Sequence, residues 1–96
     1  MLKIKDSVDL KELEKFGFVK SKNAYLPRYR RNYVEIFCDL PKEWCNDEVD
    51  KSRIKQGLSI IHERSIHFEE DVPEFYKDSL IYDLITADMV EKVEEL

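Results

Sequence analysis

Glycine is almost missing from this chain. Gly17 and Gly57 are the only two, and they stand far apart in sequence. A phosphate-cradling loop needs several glycines close together so that backbone N–H groups can reach the ligand, so that class of nucleotide site is excluded. Cysteine is equally scarce. Cys38 and Cys45 cannot form a disulfide framework, and both are expected as reduced thiols. Histidine occurs twice, at His62 and His67. Their H-x4-H spacing lies within zinc-finger range, but the C-x6-C spacing is wider than such sites use. No metal site is therefore expected. No apolar run approaches the roughly 18–20 residues that span a bilayer. The opening "MLKIKDSVDLKE" becomes charged before a signal-peptide core could form, so no membrane association and a cytoplasmic location are expected.

Catalytic patterns are also lacking. No serine, histidine and acid, or cysteine and histidine, fall in a defensible nucleophilic order. Paired carboxylates carry no information in a chain with 21 of them. The segment "FEEDVPE" (residues 68–74) can be read as a hard-cation site. Acidic residues ahead of a helix also complement its dipole, and that reading is preferred. The expectation is a protein without catalytic residues or a cofactor.

What is present is charge and a modest apolar complement. Of the 96 residues, 43% are hydrophobic and 39% charged, which suits one small folded domain over residues 1–96. The net charge of −5 is uneven. Residues 1–35 carry nine basic and five acidic side chains, whereas residues 36–96 carry seven and sixteen. Such asymmetry can mark a surface that meets a partner.

Patterning predicts an α+β fold. "LKIK" (residues 2–5) alternates as a short edge strand. Asp6, Ser7 or Asp9 can cap a short helix carrying Leu10, Leu13 and Phe16, which Gly17 ends in the left-handed conformation. An extended "FVK" and a turn at "SKN" follow. "AYLPRY" and "YVEIFCDL" read as strands joined by a turn at "RRN". In the second strand Val34, Ile36, Cys38 and Leu40 share one face. Residues 41–53 are polar and read as a loop or irregular helical turn, with Trp44 folded back onto the core. "LSII" and "SIHF" read as the arms of a hairpin turning at Glu63-Arg64, with one bent strand as the alternative. After Pro73, an amphipathic helix over about 74–86 carries Phe75, Tyr76, Leu80, Ile81, Leu84 and Ile85. A short strand with Met89, Val90 and Val93 closes the chain. The predicted architecture is a short N-terminal helix, a central antiparallel sheet of three to five strands, and a C-terminal amphipathic helix followed by a strand.

An internal echo accompanies this pattern. "LKELEKFGFVK" and "IYDLITADMVE" align Leu13 on Leu84, Gly17 on Asp88, and Phe18-Val19 on Met89-Val90. Both read as helix, tight cap and strand. An internal duplication and convergence on a common helix-to-strand turn are both open.

One stretch departs from the acidic background. "YLPRYRRNY" places Tyr25, Arg28, Tyr29, Arg30, Arg31 and Tyr33 within nine residues. Arginines neutralise phosphates and tyrosines stack on unpaired bases, so a nucleic-acid grip is conceivable, though the acidic remainder opposes it. Tyr and Arg are also the residue types enriched at protein interfaces. The plainest reading is a hairpin with cross-strand tyrosines and solvated arginines. Glu69, Glu70, Asp71 and Glu74 offer an acidic surface for a basic partner.

The ends "KIKDSVDLKELEKFGFVK" (residues 3–20) and "LIYDLITADMVEKVEE" (residues 80–95) resemble the termini of small phage and prophage proteins of Firmicutes. Those have a "DLKELEKFGF"-type start and an "LYDLI-A-D-hydrophobic-VEKV" end. The resemblance covers about a third of the chain and supplies no catalytic residues. It implies a non-enzymatic product acting in the host cytoplasm on a host protein. The sharpest form is an inhibitor of anti-CRISPR type that occludes the surface of a nucleic-acid-binding defence effector. The alternative is a small nucleic-acid-binding or regulatory protein using the Tyr/Arg hairpin.

Overall fold

The computed structural model describes residues 1–21 and 26–93. Six strands and several short helices alternate through it: β1 (Leu2–Ile4), a 3-10 helix (Leu10–Phe16), β2 (Val19–Ser21), β3 (Arg28–Arg31), β4 (Val34–Phe37), a 3-10 turn (Lys42–Trp44), α1 (Asp47–Lys55), β5 (Ile66–Phe68), a 3-10 turn (Glu74–Tyr76), α2 (Lys77–Leu80), α3 (Tyr82–Thr86) and β6 (Val90–Lys92). Strands β2-β3-β4-β5 form an antiparallel sheet, and β1 pairs with β6 in a second. A single bridge between Lys3 and Ser65 joins the two sheets. The α+β class and the four-stranded antiparallel sheet are as the patterning predicts. Among the described residues no helix is long and apolar enough to cross a membrane.

The core lies on one face of the larger sheet. Tyr29, Val34, Ile36 and Ile66 meet Ile4, Leu13, Ile81 and Leu84 there. Local chemistry sets the first helix as expected. Asp9 accepts the Lys11 N–H at 3.0 Å, and Gly17 ends the helix at φ 87°.

Six expectations are corrected. The strand expected across "AYLPRY" begins only at Arg28, while Ala24 and Tyr25 lie outside the described residues, as do Lys22 and Asn23 of the expected turn. The turn that follows is Asn32-Tyr33, so Arg30 and Arg31 belong to β3 rather than to a hairpin tip. Asn32 takes φ 51°, a conformation asparagine tolerates better than arginine.

Residues 41–53 contain most of a regular helix, α1. Asn46 caps it by accepting the Val49 N–H at 3.0 Å, with acidic residues in its first turn and basic ones in its last. It escaped hydrophobic patterning because its one buried residue is Asp50. Trp44 keeps 38% of its surface exposed, over a small hollow shared with Leu26, Val49 and Ile61, rather than joining the core.

The chain does turn at Glu63-Arg64, but only the second arm is a strand. The first arm spends its carbonyls on side chains from the α1 region. Arg53 donates to Ser59 O at 2.6 Å, and Cys45 Sγ to Ile61 O at 3.5 Å.

The C-terminal helical segment occupies the expected region but breaks at Ile81 (φ −124°, ψ 19°). A continuous helix would give Leu80 O the Leu84 N–H. Instead Leu84 N–H goes to Asp83 Oδ1 at 2.9 Å, and Arg31 takes Leu80 O at 2.7 Å. The break leaves Ile81 and Leu84 fully buried, whereas Phe75 and Tyr76 stand in solvent.

Candidate docking surface

Alternation along β3 divides the Tyr/Arg segment between two faces. Tyr29 and Arg31 point toward the core side, and Arg28 and Arg30 toward the other. Tyr29 is buried, and burial raises its phenol pKa above the usual value. Arg31 is a structural clamp. Its guanidinium holds both carboxylate oxygens of Asp83, donates to Phe16 O at 2.7 Å and to Leu80 O at 2.7 Å, and lies 4.4 Å from the Phe18 ring centroid. The hydrogen bond from Arg31 holds the Asp83 carboxyl below the usual range.

Arg28 and Arg30 share Glu35. Arg28 reaches it at 3.0 Å and lies over the Phe37 ring, while Arg30 reaches Glu35 and Glu69 at 3.4 Å each. Each arginine of the segment therefore already faces a carboxylate, so a phosphate would compete with ion pairs at every position.

Folding brings Tyr33, Arg30 and the acidic loop together. Tyr33, 54% exposed in the β3–β4 turn, accepts the Glu69 N–H at 3.0 Å through its carbonyl. This bond and the Arg30–Glu69 pair fix the acidic loop (Glu69, Glu70, Asp71) to the hairpin turn. The loop is itself closed by Val72 N–H to Glu69 O at 3.0 Å. Glu74 pairs with Lys77 at 2.8 Å. The structure thus unites Arg30, Tyr33 and Glu69, sends Arg31 and Tyr29 inward, and leaves Arg28 against Phe37; Tyr25 lies outside the described residues.

Three aromatic residues that follow the acidic loop in sequence are exposed and were not singled out as surface from sequence. Phe75 is 84% exposed, Tyr82 66% and Tyr76 51%, and the Phe75 and Tyr76 rings meet edge-to-face. A signal was present. "EFYKDSLIYDLI" holds more apolar positions than one helix face can bury, so some must point outward.

The titratable residues in the interior serve structure. Asp50, 2% exposed, is hydrogen-bonded to His62 Nε2 at 2.8 Å, tying α1 to the segment that leads into β5. Ser65 is fully buried. Its hydroxyl donates to His62 O at 2.7 Å, receives the His62 N–H, and lies 2.9 Å from His67 Nε2. With its proton committed and no access to solvent, Ser65 is not placed as a nucleophile. Desolvation holds the His67 imidazole below its ordinary pKa, so the ring is neutral near pH 7. Burial pushes the Cys38 thiol up to about 11 and raises that of Cys45 as well. Among the described residues no three His, Cys, Asp or Glu side chains are grouped to hold a metal ion. No protein-family model matches the chain, and no curated protein or solved structure shows detectable similarity to it.

Proposed function

We propose that this chain is a non-catalytic protein-binding module that acts by covering a partner's surface. The observation that carries the reading is the locked junction of the hairpin turn and the acidic loop, with Phe75 standing 84% exposed six residues beyond Glu69. A large exposed aromatic a few residues beyond a hydrogen-bonded charged loop suits protein docking, because a loop already held in place loses little conformational entropy when it binds. The acid-rich loop selects a partner with a basic surface. The likeness of the chain's ends to phage proteins makes a host defence effector with a basic nucleic-acid channel the first partner class to test, with inhibition by occlusion as the mode.

The test is affinity capture from a bacterial host lysate, followed by rebinding of the purified partner. The intact protein is expected to retain a basic protein with salt-sensitive affinity. Phe75→Ser, and the joint change Glu69→Lys, Glu70→Lys and Asp71→Lys, are each expected to weaken rebinding at least tenfold. Equal retention by both variants removes the proposed surface from consideration. The nucleic-acid alternative predicts a salt-dependent mobility shift of single-stranded DNA or RNA that is lost in Arg28→Ala/Arg30→Ala. Arg31 must be left intact in that experiment, since its removal disturbs the fold.

A further inference from the structure

The two sheets part where β1 and β5 diverge. Ile4 N–H reaches Arg64 O at 2.9 Å and Lys3 bridges Ser65, but among the described residues the ladder goes no further toward Met1. The gap opens into a half-enclosed cleft of about 600 Å³, roofed by the irregular segment 58–60. That volume falls within the roughly 300–1,000 Å³ of small-molecule sites.

Apolar and polar surface line the cleft in similar measure, and among the described residues its charged side chains are two lysines and one glutamate. Leu2, Ile54, Leu58 and Phe68 line it, and Ile54 and Leu58 keep about half of their surface exposed at 51% and 47%. Lys77 and Lys92 also line it. Lys92 sits directly across from Leu2 in the β1–β6 pair and has no carboxylate partner among the described residues. Lys77 lies 5.6 Å from the Phe68 ring centroid and pairs with Glu74, the one acidic residue of the lining among the described residues. In a chain of net charge −5, two lysines among the described lining residues run against the overall charge.

We propose that this cleft binds a linear medium-chain carboxylate, with its alkyl chain against Leu2, Leu58 and Phe68 and its head group at Lys92 and Lys77. The apolar part of the lining supplies affinity in proportion to the chain length it buries, and the lysines select the sign of the head group. The cleft shares Glu74 with the acidic surface but is not lined by Phe75, so Phe75→Ser should leave carboxylate binding unchanged.

Titration of the isotope-labelled protein with hexanoate, octanoate and decanoate, read by amide chemical shifts, tests the inference. Saturable shifts are expected at Leu58, Ile66 and Phe68, with affinity rising about fourfold per buried methylene. Decyltrimethylammonium, with the same chain and the opposite charge, should bind at least tenfold more weakly than decanoate. Lys92→Glu should weaken decanoate about fivefold or more, and Leu58→Ser by about tenfold. Both residues are accessible, so neither change threatens the fold. Shifts that do not saturate, affinity independent of chain length, or equal binding of the cationic analogue would each overturn the proposal.

Discussion

Two parts of this small protein solve one problem in the same way with different residues. The first runs from Leu13 through Gly17 to β2, and the second from Leu84 through Asp88 to β6. In each, a fully buried leucine near the helix end accepts a hydrogen bond at 3.1 Å from the residue after the cap, Phe18 or Met89. In each, the cap residue is left-handed and bonds back to the carbonyl three residues earlier, at Glu14 or Ile85. This is the Schellman arrangement, which satisfies helix-end carbonyls while turning the chain into a strand. The difference lies at the cap. Gly17 adopts φ 87° without a Cβ penalty, whereas Asp88 holds φ 59° with a side chain, its carboxylate paired to Lys5 at 2.7 Å. The shared geometry is local, yet the two strands enter different sheets. Arg31 joins the units, taking Phe16 O from the first and Leu80 O with Asp83 from the second.

That comparison can be broken in graded steps. The largest effect is expected from Leu13→Ala and Leu84→Ala. Each leaves a cavity in the common core and should cost about 3 kcal/mol by urea denaturation, the two values agreeing if the units are equivalent. Arg31→Ala is expected to cost about 2–3 kcal/mol, because Asp83 and two carbonyls lose their donor. Arg31→Lys should restore only part of that loss, since an ammonium cannot hold both carboxylate oxygens and both carbonyls.

The caps should then respond with opposite signs. Gly17→Ala places a Cβ in a left-handed position and should destabilise by about 1–2 kcal/mol, while Asp88→Gly relieves one and should stabilise by less than about 1 kcal/mol. A thermal melt of each variant measures the sign directly.

Acid should separate the units without mutation. Asp83 titrates below its ordinary value in the folded protein, so its contribution is complete above about pH 4 and is lost as pH falls through the lowered pKa. Only the second unit offers Arg31 a titratable partner, so amide exchange below pH 4 should rise in residues 82–92 before residues 10–21. His67 adds a milder trend at higher pH. Its lowered pKa means that the unfolded chain binds the proton first, so stability should begin to fall as pH drops below about 6.5.

How legible this was depended on the range of the interactions. The Gly17 cap, the alternating face of β4 and the closing strand were readable because each rests on a few neighbouring residues. Helix α1 was not, since its N-cap and charges are local but it lacks the apolar stripe by which helices are usually recognised. The candidate docking surface was half legible. Tyr33, Arg30 and Glu69 were all singled out, but their union depends on a backbone bond between segments distant in sequence. Arg31 was placed at a solvated tip, but the turn is Asn32-Tyr33, so Arg31 ends β3 and points to the core side.

Composition and patterning alone determined the α+β class, the capped helix-to-strand turns and the lack of a glycine-rich phosphate loop, because these follow from the types and spacing of nearby residues. Only the tertiary structure decided which sheet each strand joined, which arginine became an internal clamp, where the C-terminal helix broke, and which aromatics stayed outside. Those outcomes depend on competition among distant groups for a small core and for a few unsatisfied carbonyls. No short stretch of the chain contains that competition.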